Sequence, residues 1–202
     1  KNGYGEHNIQ GIGDKHIPLI HNVMNTDFVV DISDKATDNL NLVFNTKIGK
    51  DYLTKKLGLE NSLVNKLPEF GFSSIANILA SIKLAKYMKL GKEDAIITVA
   101  TDGADLYLSE LDKTKKNYEG IFDDAACSKI FKKYIKEIDV DNMLELSQND
   151  KERIFNLGYY TWVEQQGISL SDFEKRKDQK FWLEHYNHMI SLDDKIEKFN
   201  TL

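Results

Sequence analysis

From Ile75 to Met88 apolar side chains recur every three or four residues: Ile75, Ile78, Leu79, Ile82, Ala85 and the pair Tyr87/Met88. That spacing predicts an amphipathic helix. The turn Gly71-Phe72-Ser73-Ser74 precedes it, with Ser73 or Ser74 as the expected N-cap, because a hydroxyl can accept from free backbone N–H groups. Gly91 is the expected stop. The pattern then changes. Ile96-Ile97-Thr98-Val99-Ala100 is an unbroken apolar, β-branched run, which predicts a strand buried on both faces. Thr101-Asp102-Gly103 follows as a polar turn at the strand's carboxyl end. Helix, short loop and buried strand form one unit of a parallel sheet. The expected fold class is α/β: a partial three-layer sandwich around a mostly parallel sheet, with a helical C-terminal tail.

The flanking pattern fits that frame. Asp27 to Ser33 reads as a short strand, and Ser33 or Asp34 caps a helix to about Asn45 with Ala36, Leu40, Val43 and Phe44 on one face. Short helices are expected at Asp51–Leu57, closed by Gly58, and at Asn61–Leu67, ending at Pro68. A helix is expected over Ala104–Leu111, and beyond it the strand signals stop. Helical spacing returns at Asp123–Ile138, Lys151–Gln166, Ser169–Glu174, Gln179–Met189 and Asp193–Phe199. The expected division is a large α/β domain over 1–112 and a helical extension over 113–202.

Composition narrows the classes. The net charge of −5 argues against a nucleic-acid surface, which needs clustered Lys and Arg. The basic run Lys113 to Lys116 is short and flanked by acids, so it reads as a solvated face. No apolar run approaches the ~20 residues of a membrane span. A lone cysteine, Cys127, leaves no internal disulfide and fits a reducing compartment, and no signal peptide is evident, so the expected location is cytoplasmic. The chain opens without Met in a Gly-rich run (Gly3, Gly5, Gly11 and Gly13) and reads as the later part of a longer protein. His7, His16 and His21 lack metal-ligand spacing, and no metal site is expected.

The chemistry legible from residue types stays open. Gly71 to Ser74 at a helix start is either an anion-binding turn or a plain N-cap. Thr101-Asp102-Gly103 is either a ligand-facing turn, since ligands bind outside the carboxyl ends of strands in open α/β sheets, or a strand ending. Gly11-Ile12-Gly13 is either a close-approach loop or a surface loop. No nucleophile elbow, Walker loop or cysteine pair is present.

Three blocks carry a family resemblance. Gln10-Gly11-Ile12-Gly13 followed by Ile17-Pro18 is similar to a "QGIGxGFxP" stretch; Gly71 to Ser74 resembles "GISSG"; Ile97 to Ser109 resembles "VVVLPDSGERYLS". In this order and spacing they resemble the C-terminal part of fold-type-II pyridoxal-phosphate enzymes, the cysteine synthase and tryptophan synthase β-chain superfamily, over about residues 1–111. The phrase from Gly11 to Asn22, with Tyr160 to Gly167, is similar to longer members with a helical tail, near the thiolase β subunits that cleave 2-amino-4-oxopentanoate.

The resemblance implies pyridoxal 5'-phosphate as cofactor and a small amino acid as substrate. It implies a homo-oligomer, with or without a small second subunit. The reaction is thiolytic cleavage, or alternatively a β-replacement or elimination. It places the Schiff-base lysine upstream of this chain; Lys15 and Lys83 are not that lysine by position, so the chain alone would be inactive. It implies cofactor contacts for Gly11, Gly13, Gly71, Ser73, Thr101, Asp102 and Gly103. Relatives commonly carry Ser at the position of Gly103, whose hydroxyl meets the pyridine nitrogen; glycine cannot, which leaves Thr101 or a water for that contact. Two other readings stand beside this one: an assembly module working through Trp162, Phe181, Trp182 and Tyr186, and a ligand-sensing domain without chemistry.

Overall fold

The computed structural model describes residues 6–9, 11–13 and 16–201. Contacts divide it into two compact units: the described residues through Gly13 with Val30–Met143, and the described residues from His16 to Val29 with Leu144 onward. Two of the three boundaries fall in a pair of short strands, β1 (Phe28–Val30) and β2 (Met143–Glu145).

The first unit is built from helices α1 (Asp34–Asn45), α2 (Lys47–Asp51), α3 (Asn61–Val64), α4 (Phe72–Met88), α5 (Leu108–Lys116) and α6 (Asp124–Phe131). Ser33 caps α1, its Oγ accepting from the Lys35 N–H at 3.1 Å. Thr46 serves two helices at once: its N–H closes α1 on Leu42 O, and its Oγ1 accepts from the Gly49 N–H to open α2. The expected face of α1 is the buried one, with Ala36, Leu40, Val43 and Phe44 in the main core beside Leu53, Val64, Ile75, Leu79, Cys127 and Ile130. Each such side chain removed from water contributes about 1.5–3 kcal/mol.

The second unit comprises α7 (Gln148–Leu157), α8 (Leu170–Lys175), α9 (Gln179–Asn200) and a π-helical segment, Tyr160–Gln165. Ser147 and Asp150 form a capping box on α7, and Ser169 and Asp178 cap α8 and α9. Val23, Phe155 and Phe173 form its core. The Trp162 indole N–H donates to Ile17 O at 2.7 Å, which ties the N-terminal stretch to this core.

The expected α/β sandwich is not what forms. The structure is 62% helical, and its two antiparallel strands make a small sheet; no mostly parallel sheet is present among the described residues. The decisive segment is Ile96–Ala100. It forms no strand, and Ile97 is 97% and Val99 65% exposed. No backbone–backbone hydrogen bond joins residues 95–100 to another described residue. A β-branched run becomes a buried strand only when neighbours supply edges for its N–H and C=O groups. Here β1 pairs with β2, and no described strand pairs with this run.

The tail departs from expectation as well. It holds a strand, β2, where strand signals were expected to have stopped, and the two helices expected at its end are the single 22-residue α9.

Candidate functional site

Helix α4 begins two or three residues earlier than a cap at Ser73 or Ser74 predicts. Gly71 is its N-cap and makes no side-chain cap. The serines are buried and employed otherwise. Ser74 Oγ accepts from the Thr101 N–H at 2.8 Å and shares a second bond, 3.1 Å, with Thr101 Oγ1. The Gly71 N–H donates to Asp102 O at 2.7 Å. One helical turn on, the Asn77 amide donates to Val99 O at 3.0 Å. The start of α4 is thus laced to the turn 101–103 across about thirty residues of sequence.

Gly71 is required by the closeness of this approach. A Cβ there would lie 2.8 Å from both Asp102 Oδ1 and Tyr107 Cε2, and 2.9 Å from Asp102 O. Gly103 starts the 3-10 turn Ala104–Tyr107. That turn brings Tyr107 back onto the helix start, with its ring centre 4.5 Å from that of Phe72.

The third block arrives at the same place. Ile9 packs with Phe72, Ala76 and Tyr107 in a small buried cluster, and Ile12 lies against it. Gly11 and Gly13 flank Ile12 at φ of +78° and +73°, a left-handed conformation that glycine adopts without a Cβ penalty. The Gly13 carbonyl meets His7 Nε2 at 2.9 Å. Gln10 and Lys15, with Gly3 and Gly5, lie outside the described residues.

Asp102 is the charged centre of this cluster. Its Oδ1 accepts from Thr101 Oγ1 at 2.9 Å and its Oδ2 from the Tyr107 hydroxyl. Burial acts to raise its pKa, but the two hydroxyl donors and a backbone N–H outweigh that and hold it below the usual aspartate value. The Tyr107 phenol is pushed up to about 12, by burial first and then by the adjacent carboxylate. The pair therefore stands as carboxylate and neutral phenol across the physiological range. An ionised carboxylate offers about four acceptor positions, and these two hydroxyls occupy two.

Of the seven predicted residues, the structure brings Gly71, Thr101 and Asp102 into direct contact through backbone and hydroxyl bonds. Ser73 and Gly103 are their chain neighbours, and Gly11 and Gly13 reach the cluster through Ile9 and Ile12. Three members escaped sequence reading: the Ser74 hydroxyl as a cross-link, Asn77 and Tyr107. A signal for two of them was available. Ser74, Asn77 and Ser81, spaced three and four apart, make a polar stripe on α4, which marks a face turned toward backbone.

Other candidates lie apart. A cavity of about 610 Å³ in the first unit is lined by Asp31, Ser33, Lys83, Tyr134, Asp141 and neighbours, and by none of the seven. Lys83 is buried there and pairs with Asp141 at 2.9 Å. Cys127 is fully buried and its thiol is pushed up to about 11, chiefly by that burial. His16 Nδ1 lies 2.9 Å from Thr161 Oγ1, and His21 Nε2 lies 3.0 Å from Thr26 Oγ1. Among the described residues no group of three or more His, Cys, Asp or Glu side chains is placed to hold a metal ion. No helix among them is long and apolar enough to cross a membrane. Compared with known protein families, curated proteins and solved structures, the chain matches none.

Proposed function

We propose that the cluster of Gly11–Gly13, Gly71–Ser74 and Thr101–Gly103 is one wall of a pyridoxal 5'-phosphate site in an enzyme acting on a small amino acid. The observation that carries this reading is the convergence of three blocks, widely separated in sequence, around Phe72, Tyr107 and Asp102. The reading rests on the site alone, since no mostly parallel sheet is present among the described residues.

The donor set suits the cofactor. Asp102, held ionised and with acceptor positions to spare, fits a protonated ring nitrogen, the contact that Gly103 cannot make. When bound, the cofactor supplies the electron sink for bond cleavage next to the amino acid's α-carbon. The chain's own part is positional. Thr101 and Tyr107 orient Asp102 and keep it charged, and Gly71 lets the helix start approach the turn. The Gly11–Gly13 loop presents backbone without side-chain bulk. The Schiff-base lysine is contributed from outside these 202 residues, and thiolytic cleavage of 2-amino-4-oxopentanoate is the reaction we favour over β-replacement or elimination. The test is to purify the full-length protein with the cofactor, desalt it, and measure retained cofactor by absorbance after alkaline release. Stoichiometric retention, reduced in Asp102→Ala, supports the reading; no retention in the unaltered protein overturns it.

A second reading is favoured by α9. Leu183, Tyr186, Met189, Ile190, Ile196 and Phe199 are each more than half exposed. Met189, Leu192, Ile196 and Phe199 recur at spacings of three, four and three, the seam by which one helix packs on a like helix. We infer self-association of the chain through α9. Size-exclusion of a full-length protein truncated after Asp178 tests it: a smaller assembly supports it, and an unchanged one counts against it.

A further inference from the structure

Arg176 follows α8 and is 5% exposed. Its guanidinium carbon lies 5.2 Å from the centre of the Phe155 ring and 5.1 Å from that of Phe173. Such contacts with aromatic faces return about 2 kcal/mol when desolvated, short of the several kcal/mol that removing a charge from water costs. The remainder ordinarily comes from hydrogen bonds and an opposite charge. Among the described residues neither is supplied: Nε and Nη1 are both buried and find no hydrogen-bond partner. The two acids nearest in sequence are otherwise engaged. Glu174 binds Lys177 at 2.6 Å, and Asp178 caps α9 through the Lys180 N–H.

The neighbouring basic groups do not offset the charge: Lys177 is itself paired with Glu174. Lys177 Nζ lies 4.9 Å from the centre of the same Phe155 ring. The His21 ring is close enough that burial, and then the Arg176 charge, hold its pKa below the ordinary histidine value. The two rings pack on each other, 4.6 Å centre to centre, and so lie on one side of the guanidinium, which leaves its planar edge as the donor surface. That fork of N–H groups matches an oxyanion by paired, charge-assisted hydrogen bonds.

We propose that the second unit binds an oxyanion, the carboxylate or phosphate group of a small molecule, on the Arg176 edge beside the Phe155–Phe173 pair. The anion supplies both the missing hydrogen bonds and the missing negative charge. A trapped water would supply only the first.

The experiment titrates the full-length protein with inorganic phosphate and, separately, with acetate, at ionic strength fixed by sodium chloride. Two NMR reporters are followed: the His21 ring and the Trp182 indole N–H, which donates to Arg176 O at 2.8 Å. The expected result is a saturable shift of the indole signal and a rise in the His21 midpoint. The anion that saturates at the lower concentration identifies the ligand group as phosphate or carboxylate. Arg176→Lys keeps the charge without the fork and weakens the response at least tenfold, and Arg176→Met abolishes it. If a variant fails to fold, the unaltered protein's response decides alone. A response to neither anion beyond that to chloride overturns the proposal, as does undiminished binding in a folded Arg176→Met protein.

Discussion

Replacing Gly71 with alanine tests how tightly the candidate site is assembled. Gly71 has φ −77° and ψ −173°, a conformation open to any residue, so the effect comes from contact and not from backbone restriction. The new Cβ would meet Asp102 O and Oδ1 and Tyr107 Cε2 at 2.8–2.9 Å. Two of these cannot swing aside: Asp102 O is backbone, and the Tyr107 ring is packed on Phe72. Overpacking of this kind costs about 1–3 kcal/mol, and loss of the Gly71 N–H bond to Asp102 O adds about 1 kcal/mol, so the expected destabilisation is about 2–4 kcal/mol. At about 2–4 °C per kcal/mol for a chain of this length, the melting temperature falls by roughly 4–16 °C. Gly103→Ala is the control. Its Cβ would meet the movable Asp105 Oδ1 at 2.7 Å and Pro68 O at 3.4 Å, and the expected cost is under about 1 kcal/mol. The assay is urea unfolding followed by far-UV circular dichroism. Fluorescence of Trp162 and Trp182, which belong to the other unit, serves as an independent probe. A Gly71→Ala protein within about 0.5 kcal/mol of the unaltered chain, or no less stable than Gly103→Ala, refutes the packing argument.

Further outcomes follow from single groups. The Asp102 carboxyl, followed by NMR, titrates below the ordinary aspartate value of about 3.9, and Tyr107→Phe raises its midpoint. Because the folded pKa is depressed, the stability tied to Asp102 is complete above pH ~4 and is lost only as pH falls through the folded value; loss at higher pH contradicts the assignment. Lys89 closes α4 at φ +55°, so Lys89→Gly raises stability by about 1 kcal/mol in urea unfolding, and a decrease rejects that account of the cap. Cys127, buried with its thiol near 11, reacts with a thiol reagent at pH 8 only when the unit opens, so its labelling rate rises with urea; fast labelling without urea shows the core contact to be wrong.

The elements whose signals are local were legible in the sequence. Ser33 before the 3.6-residue pattern of α1, Ser169 before α8 and Gly58, at φ +70°, after the helical segment Tyr52–Lys56 all stand where capping and turn chemistry put them. What failed was the inference from a local run to a partner. Ile96 to Ala100 has the side chains of a buried strand, but burial requires neighbouring strands that a run of five residues does not specify. The N-cap of α4 was misplaced for a related reason. Ser74 has the right chemistry for capping, yet its hydroxyl is taken by Thr101, 27 residues away in sequence. In the site, glycines and hydroxyls stood out by residue type, whereas Tyr107 joins only because the turn after Gly103 folds its ring onto Phe72.

The central claim is that the loop 11–13, the start of α4 and the turn 101–103 form one face toward one cofactor. Amide hydrogen exchange of the full-length protein, with and without pyridoxal 5'-phosphate, tests it most directly. The account predicts added protection in all three segments together. Cofactor binding that protects none of the three, or only one, would contradict it.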